Sequence, residues 1–185
     1  MSELAVLQAV RLKGRVSRDD LDSNVDDLVE SGLLLDGPTL RLSPEGRVRL
    51  GELLASERSS VDAAVIAAAY DEFRSLNADF KELVTDWQLK NGEPNTHEDA
   101  DYDAAVLARL DEVHQRVVPV VEAVCAELPR LRHYSEKLQS ALDRVHAGET
   151  MWLSRPLIDS YHTVWFELHE ELILAAGLTR EAEDA

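Results

Sequence analysis

Leu4, Leu7, Val10 and Leu12 recur close to helical spacing, and Gly14 closes the segment they define. Arg15-Val16-Ser17 reads as a short extended piece. Ser17 is placed to cap a brief helix through Leu21, and Ser23 a second one with Val25, Leu28 and Val29 on its inner face, which Gly32 stops. Two short apolar segments follow, Leu33 to Leu35 and Leu40 to Leu42. The turn Asp36-Gly37-Pro38 between them predicts a two-stranded wing. Ser43-Pro44-Glu45 then opens a further helix, with Ser43 as N-cap, Pro44 in the first turn and Glu45 favoured by the helix dipole.

Beyond a break expected near Ser59-Ser60 the pattern is helical almost throughout. Ile66, Ala69, Phe73, Leu76, Phe80, Leu83 and Trp87 alternate spacings of three and four, which makes one apolar seam along a long helix. Asn91-Gly92-Glu93-Pro94 ends it. Val106, Leu110, Val113, Val117, Val120 and Val124 form a second seam, in which Pro119 is expected to kink or divide the helix. Leu131, Tyr134, Leu138, Leu142 and Val145 form a third, ending at Gly148. Leu157, Tyr161, Val164, Leu168 and Leu172 form a fourth, expected to begin at Pro156. The fold class this predicts is mainly α: an N-terminal winged helix-turn-helix with a two-stranded wing, residues 1–58, then a four-helix-bundle-like domain, residues 59–178, and an acidic tail, residues 179–185.

Charge complicates that picture. The chain has 36 acidic and 19 basic side chains, a net charge of -17. Nonspecific attraction to nucleic acid or anionic membrane is disfavoured at such a balance. Residues 1–58 hold 8 bases and 11 acids, against 11 and 25 in the rest, so a basic patch is expected only in the first part. The helix that a winged helix would present to DNA carries Asp22, Asp26, Asp27 and Glu30 and no base. Duplex binding comes largely from Lys and Arg displacing counterions from phosphates, so this helix alone would be repelled. Phosphate contact therefore falls to Arg15, Arg18, Arg41, Arg47 and Arg49, and base reading to Ser23 and Asn24, the neutral polar residues of the acidic helix. Cys125, the single cysteine, excludes an intramolecular disulfide; with no leader or long apolar run in the sequence, the expectation is a cytoplasmic chain away from membranes.

Three helices, a wing and the segment Ser43-Pro44-Glu45-Gly46-Arg47 resemble the winged-helix domain of MarR-like bacterial regulators, over roughly residues 3–57. Its connection from Ser17 to Gly32 is shorter than that family's usual pair of full helices. The run from Trp152 to Glu170, together with Leu76-Asn77 and Asp86-Trp87-Gln88, is similar to actinobacterial proteins that pair a winged helix with a helical domain, and to segments of proteins described as phosphoenolpyruvate-utilising enzymes. That resemblance implies a regulator or an accessory subunit and transfers no catalytic residue.

Chemistry concentrates in the same run. Ile158, His162, Trp165, His169 and Leu172 form a second stripe beside the fourth seam, so this helix is expected to be buried on two sides. Trp87, Trp152, Arg155, Tyr161, His162, Trp165 and His169 are the candidates for a ligand pocket, with core and interface packing as the plainer reading. Asn77, Lys81, Asp86 and Gln88 read as solvent-facing residues beside the first seam, with a pocket lining as the alternative. The pairs Asp111/His114, Asp143/His146 and Asp159/His162 have a spacing used by di-iron bundles, but the seams occupy the inward positions, which predicts surface pairing and no metal. Asp99, Asp101 and Asp103 begin like a calcium loop and then fail it at Ala104 and Leu110, leaving Asp101 or Asp103 as a helix cap. No nucleophile elbow or phosphate loop occurs. The functional expectation is a non-enzymatic regulator without cofactor, a homodimer that binds DNA weakly and responds to a small-molecule effector. Its alternatives are an accessory subunit with a basic protein partner, and a metal- or small-molecule-binding bundle.

Overall fold

The computed structural model describes residues 2–21 and 25–179. Ser23 and Asn24, like Asp22, lie outside the described residues. The protein is mainly helical, with eight α-helices and two small two-stranded sheets among the described residues, and the chain forms two compact units, Met1–Val61 with Gly177–Ala185, and Asp62–Ala176. No helix among the described residues is long and apolar enough to cross a membrane.

In the first unit α1 spans Glu3–Lys13, capped by Ser2, whose hydroxyl accepts from the Ala5 amide at 3.2 Å. It buries Val6, Leu7 and Val10 and packs on β2 and α3. Val16 bridges to Leu40. The brief helix expected after Ser17 is a single 3-10 turn, Arg18–Asp20, which Ser17 does not cap with its side chain. α2, Val25–Glu30, follows with Val25 and Leu28 buried. β1 (Leu34–Leu35) pairs antiparallel with β2 (Arg41–Leu42), Leu34 opposite Leu42 with both buried.

α3, Pro44–Arg58, is locked to this hairpin through Ser43. Its backbone N–H and its hydroxyl both donate to the Leu33 carbonyl, each at 3.1 Å, while the hydroxyl oxygen accepts from the Gly46 amide at 2.8 Å. A Cβ on Gly46 would lie 2.0 Å from the Leu33 oxygen, so only glycine lets the first turn of α3 come this close.

In the second unit α4 (Ala63–Gln88) buries all seven residues of the first seam. Asn91 and Gly92, at φ +55° and +83°, turn the chain between β3 (Leu89–Lys90) and β4 (Glu93–Pro94). Two successive positive φ values are the requirement of the tight hairpin turn that Asn-Gly favours. α5 runs unbroken over Ala100–Glu127 and through Pro119, so that residue does not divide the helix. Pro119 and Gln115, whose carbonyl loses its helical donor there, are both exposed, which leaves that carbonyl on the solvent side of the helix. The cap of α5 is Asp99, accepting from the Tyr102 amide at 3.1 Å, in place of Asp101 or Asp103.

After a 3-10 turn, Pro129–Leu131, come α6 (Arg132–His146), the short α7 (Met151–Ser154) and α8 (Tyr161–Ala175). α8 starts five residues later than Pro156. Ser160 supplies a side-chain cap to the Thr163 amide, and Leu157 sits at φ +67°, outside any right-handed helix. Leu157 is consequently fully exposed instead of starting the fourth seam. α4 packs on α5, α5 on α6, α6 on α8 and α8 on α4, closing a ring of helices around the seams.

Gly46→Ala is expected to lower stability by about 1–3 kcal/mol, because the overpacked methyl forces α3 off the Leu33 carbonyl. Gly51→Ala, in the same helix with open space around its Cβ, should raise it by about 0.5–1 kcal/mol. Urea unfolding of the two variants beside the parent chain measures both.

Candidate functional site

The arginines of the first unit divide into two groups. Arg18 donates to both Asp26 on α2 and Asp36 in the β1–β2 turn, tying the acidic helix to the hairpin. Hydrogen bonds to the two carboxylates push the Arg18 guanidinium further up, and the same contact, with the Gly37 amide, holds Asp36 below the ordinary carboxylate range. Arg49 reaches back to Glu3 on α1 at 2.8 Å and to Glu52 within α3. Arg18 and Arg49 are thus engaged with carboxylates of their own unit, which leaves them little for an outside anion.

Arg15, Arg41 and Arg47 are exposed, and their guanidinium groups have no carboxylate partner among the described residues. They gather around the β1–β2 hairpin. A concavity of about 280 Å³ is lined by Arg15, Arg41 and the turn from Asp36 to Thr39. A second, of about 350 Å³, is lined by Arg11, Arg41 and Arg47 over Val10, Leu35, Leu42 and Pro44. Arg41 belongs to both. Of the side chains expected to contact phosphate, three stand together and two are withdrawn; Arg11 lines the second concavity beside them. On α2, Asp27 and Glu30 remain exposed. Comparison with family models, with curated proteins and with solved structures finds no match.

The pocket candidates of the second unit do not converge. Trp165 is 2% exposed and stacks between Phe73 and Phe80, with ring centroids 4.7 and 4.5 Å away. Its indole N–H donates at 3.0 Å to Asn77, which is buried and not solvent-facing as the sequence suggests. Tyr161 and His169 are buried on the same helix, and ten of the fifteen residues of α8 are buried, including Glu167 and Glu171. Arg130 reaches Glu171 at 2.8 Å. Elsewhere, Trp87 packs on the His97 ring, Trp152 lies under the Arg144 guanidinium at 4.1 Å, and Arg155 and His162 are exposed. Of the stripe, Trp165, His169 and Leu172 build core, while Ile158 is half-buried and His162 exposed.

The Asp-x-x-His pairs regroup across helices. His146 on α6 meets Asp111 on α5 at 2.7 Å, and Asp159 meets Lys137 at 2.9 Å. His114 is buried, a departure from the surface position expected of it. Its Nδ1 lies 3.1 Å from the Tyr161 hydroxyl and its Nε2 3.1 Å from Gln139 Oε1. Because Gln139 Nε2 donates to Asp143 at 2.8 Å, the amide oxygen faces His114. Nε2 therefore carries the proton, and Nδ1 accepts from Tyr161. This joins α5, α6 and α8 through one neutral imidazole. Among the described residues no group of three or more His, Cys, Asp or Glu is placed to hold a metal ion. At the α4–α5 junction His97 and Asn95 instead meet Asp103, and Lys90 meets Asp99.

Burial holds His114 below its ordinary value of 6.5, against the pull of Gln139, Asp111 and Asp143. The unfolded chain then binds a proton more readily than the folded one, so the neutral network contributes fully above pH 6.5. Its contribution falls as pH drops below 6.5 toward the lower folded-state value. Urea midpoints measured between about pH 7.5 and about pH 5 should fall more steeply for the parent chain than for His114→Gln, which lacks the titrating group. Equal slopes would remove His114 from the pH response.

Proposed function

We propose that the protein is a non-enzymatic regulator whose first unit is a winged helix that touches nucleic acid through phosphates alone. The order α1, bridge, 3-10 turn, α2, β1, turn, β2, α3 supports the winged-helix reading, and the closed ring of α4, α5, α6 and α8 supports a four-helix bundle in the second unit as scaffold and dimerisation element. The observation that carries the functional step is the set of guanidinium groups at Arg15, Arg41 and Arg47, free of carboxylates among the described residues in a chain with nearly twice as many acids as bases. Lining concavities beside the hairpin, they suit the backbone of a duplex. Asp27 and Glu30 keep α2 out of the major groove, so the contact is weak and insensitive to base sequence.

A second reading, an accessory subunit that binds a protein partner, is favoured by the α7–α8 turn. There Leu157 is fully exposed in a left-handed conformation, next to exposed Arg155. A side chain of this size held outward at a backbone cost of the order of 1 kcal/mol is the kind of anchor a partner's apolar pocket accepts.

Fluorescence anisotropy with a labelled duplex distinguishes the two. Regulation through phosphates predicts binding at low salt with a log–log salt slope of about -3, one unit for each arginine. Each of Arg15→Ala, Arg41→Ala and Arg47→Ala should reduce the slope by about one, whatever the duplex sequence. Absence of binding at the lowest salt, or binding untouched by the triple substitution, would sink the nucleic-acid reading.

A further inference from the structure

The turn Asn91-Gly92 between β3 and β4 sets a nucleophile beside an electrophile. Asn91 stands at φ +55° and Gly92 at φ +83°, and both are exposed. Asparagine and glycine tolerate this left-handed region, which is why the pair suits a two-residue hairpin turn. Along the chain, the Gly92 backbone nitrogen is within reach of Cγ, the carbonyl carbon of the Asn91 side chain. No Cβ on Gly92 obstructs that approach, and nothing lies within 4 Å of the place one would take. Neither the Asn91 carboxamide nor the Gly92 N–H has a hydrogen-bond partner among the described residues, so no such bond has to be given up first.

The other asparagines lack these conditions. Asn77 is buried in α4 and accepts from the Trp165 indole at 3.0 Å. Asn95 donates to the Trp87 carbonyl and to Asp103, and Thr96 follows it. Asn24, outside the described residues, precedes the β-branched Val25. Asp36-Gly37, the nearest analogue, is held in check. Asp36 Oδ1 accepts from the Gly37 amide at 2.9 Å and from Arg18 at 3.3 Å, contacts that keep the carboxylate ionised, and an ionised carboxylate resists attack by nitrogen.

We propose that Asn91 is a site of spontaneous covalent modification, at which the folded chain converts its own asparagine to aspartate and isoaspartate. The Gly92 nitrogen bonds to Asn91 Cγ, the Cγ–Nδ2 bond breaks, and ammonia leaves with the proton that Gly92 gave up, closing a succinimide ring. Water then opens the ring. Addition at Cγ gives aspartate; addition at the former backbone carbonyl carbon gives isoaspartate, whose main chain runs through Cβ and Cγ and is longer by one methylene. Either product adds a carboxylate beside Glu93, on a hollow of about 640 Å³ that Glu98, Asp99 and Asp101 also line. The lengthened chain goes further, because a two-residue turn of fixed register cannot absorb it. This hairpin is tied to both long helices. Lys90 pairs with the α5 cap Asp99 at 2.6 Å, the Tyr102 hydroxyl donates to the Leu89 carbonyl at 3.3 Å, and the Asn95 amide donates to the Gln88 carbonyl at 2.8 Å. Isoaspartate at this position therefore releases the corner between α4 and α5 while the seams stay packed.

Peptide mapping by mass spectrometry of the full chain, incubated at mildly alkaline pH, tests the site. Asn91 should gain the mass of the acid and yield both products while Asn77 and Asn95 stay amides, and the rate should fall at mildly acidic pH, where less of the Gly92 amide ionises. Gly92→Ala, which sets a methyl beside the attacking nitrogen, should slow conversion at least about tenfold. Amide hydrogen exchange reads the consequence: Glu93 and Asn95 should exchange faster in the isoaspartate chain than in Asn91→Asp, which adds the charge on an unaltered backbone. Asn91 that converts in urea but stays intact in the folded chain overturns the proposal, and that comparison of the parent with itself stands whether or not Gly92→Ala keeps its turn. Conversion at equal rates at Asn77, Asn91 and Asn95 overturns it as well. An isoaspartate chain that exchanges like Asn91→Asp overturns the release of the corner.

Discussion

An excess of 17 negative charges is the constraint around which the first unit is arranged. Where an arginine has a structural task, it is placed against acids: Arg18 between Asp26 and Asp36, Arg49 between Glu3 and Glu52. Exposed pairs of this kind contribute little stability individually. Their effect is geometric, because Arg18 fixes the acidic α2 beside the hairpin turn and Arg49 joins α1 to α3. Against that background, Arg15, Arg41 and Arg47 are the exceptions, and the functional reading rests on them. The acidic helix is correspondingly less of a contradiction, since Asp26, though exposed, is paired with Arg18, which leaves Asp27 and Glu30 as the exposed acids of α2 without that tie.

The second unit solves a different problem, how to bury a helix on nearly all sides. Stacking Trp165 between Phe73 and Phe80 supplies two ring contacts of about 0.5–1.5 kcal/mol each beyond area burial. Polar atoms drawn inside by this packing are matched: the indole by Asn77, Tyr161 by His114, His114 by Gln139. A buried donor without such a partner would cost about 1–3 kcal/mol. Chemistry that resembles a pocket in one dimension is thus consumed as core, which moves attention to the charged face of the first unit.

Hydrophobic spacing made the long helices legible. Every residue of the first, second and third seams is buried, since a continuous three-and-four spacing has only one face to put inside. Local competition was harder to read. The fourth seam includes Leu157, yet a seam does not say where hydrogen bonding begins, and the Ser160 cap outcompeted Pro156. Pro119 does not divide α5, because Gln115, whose carbonyl loses its donor, is exposed and the packing on either side keeps the helix whole. Asp99, Asp101 and Asp103 are equivalent as sequence; the approach of Lys90 and the bonds of Asp103 to Asn95 and His97 select Asp99 as cap. Asn77 and His114 were placed outside because their partners lie 88 and 47 residues away. For the arginines the sequence supplied the set, and only the partners divided it, because carboxylate pairing is a matter of three-dimensional neighbours.

The central claim, that Arg15, Arg41 and Arg47 form the outward face while Arg18 and Arg49 belong to the frame, is tested most directly by nuclear magnetic resonance of the arginine side-chain Nε–H groups as duplex DNA is titrated into the full chain. The account predicts that the signals of Arg15, Arg41 and Arg47 shift progressively, with those of Arg18 and Arg49 and the amides of Asp27 and Glu30 unmoved. Shifts confined to the α2 amides, or an unchanged spectrum at low salt, would contradict it.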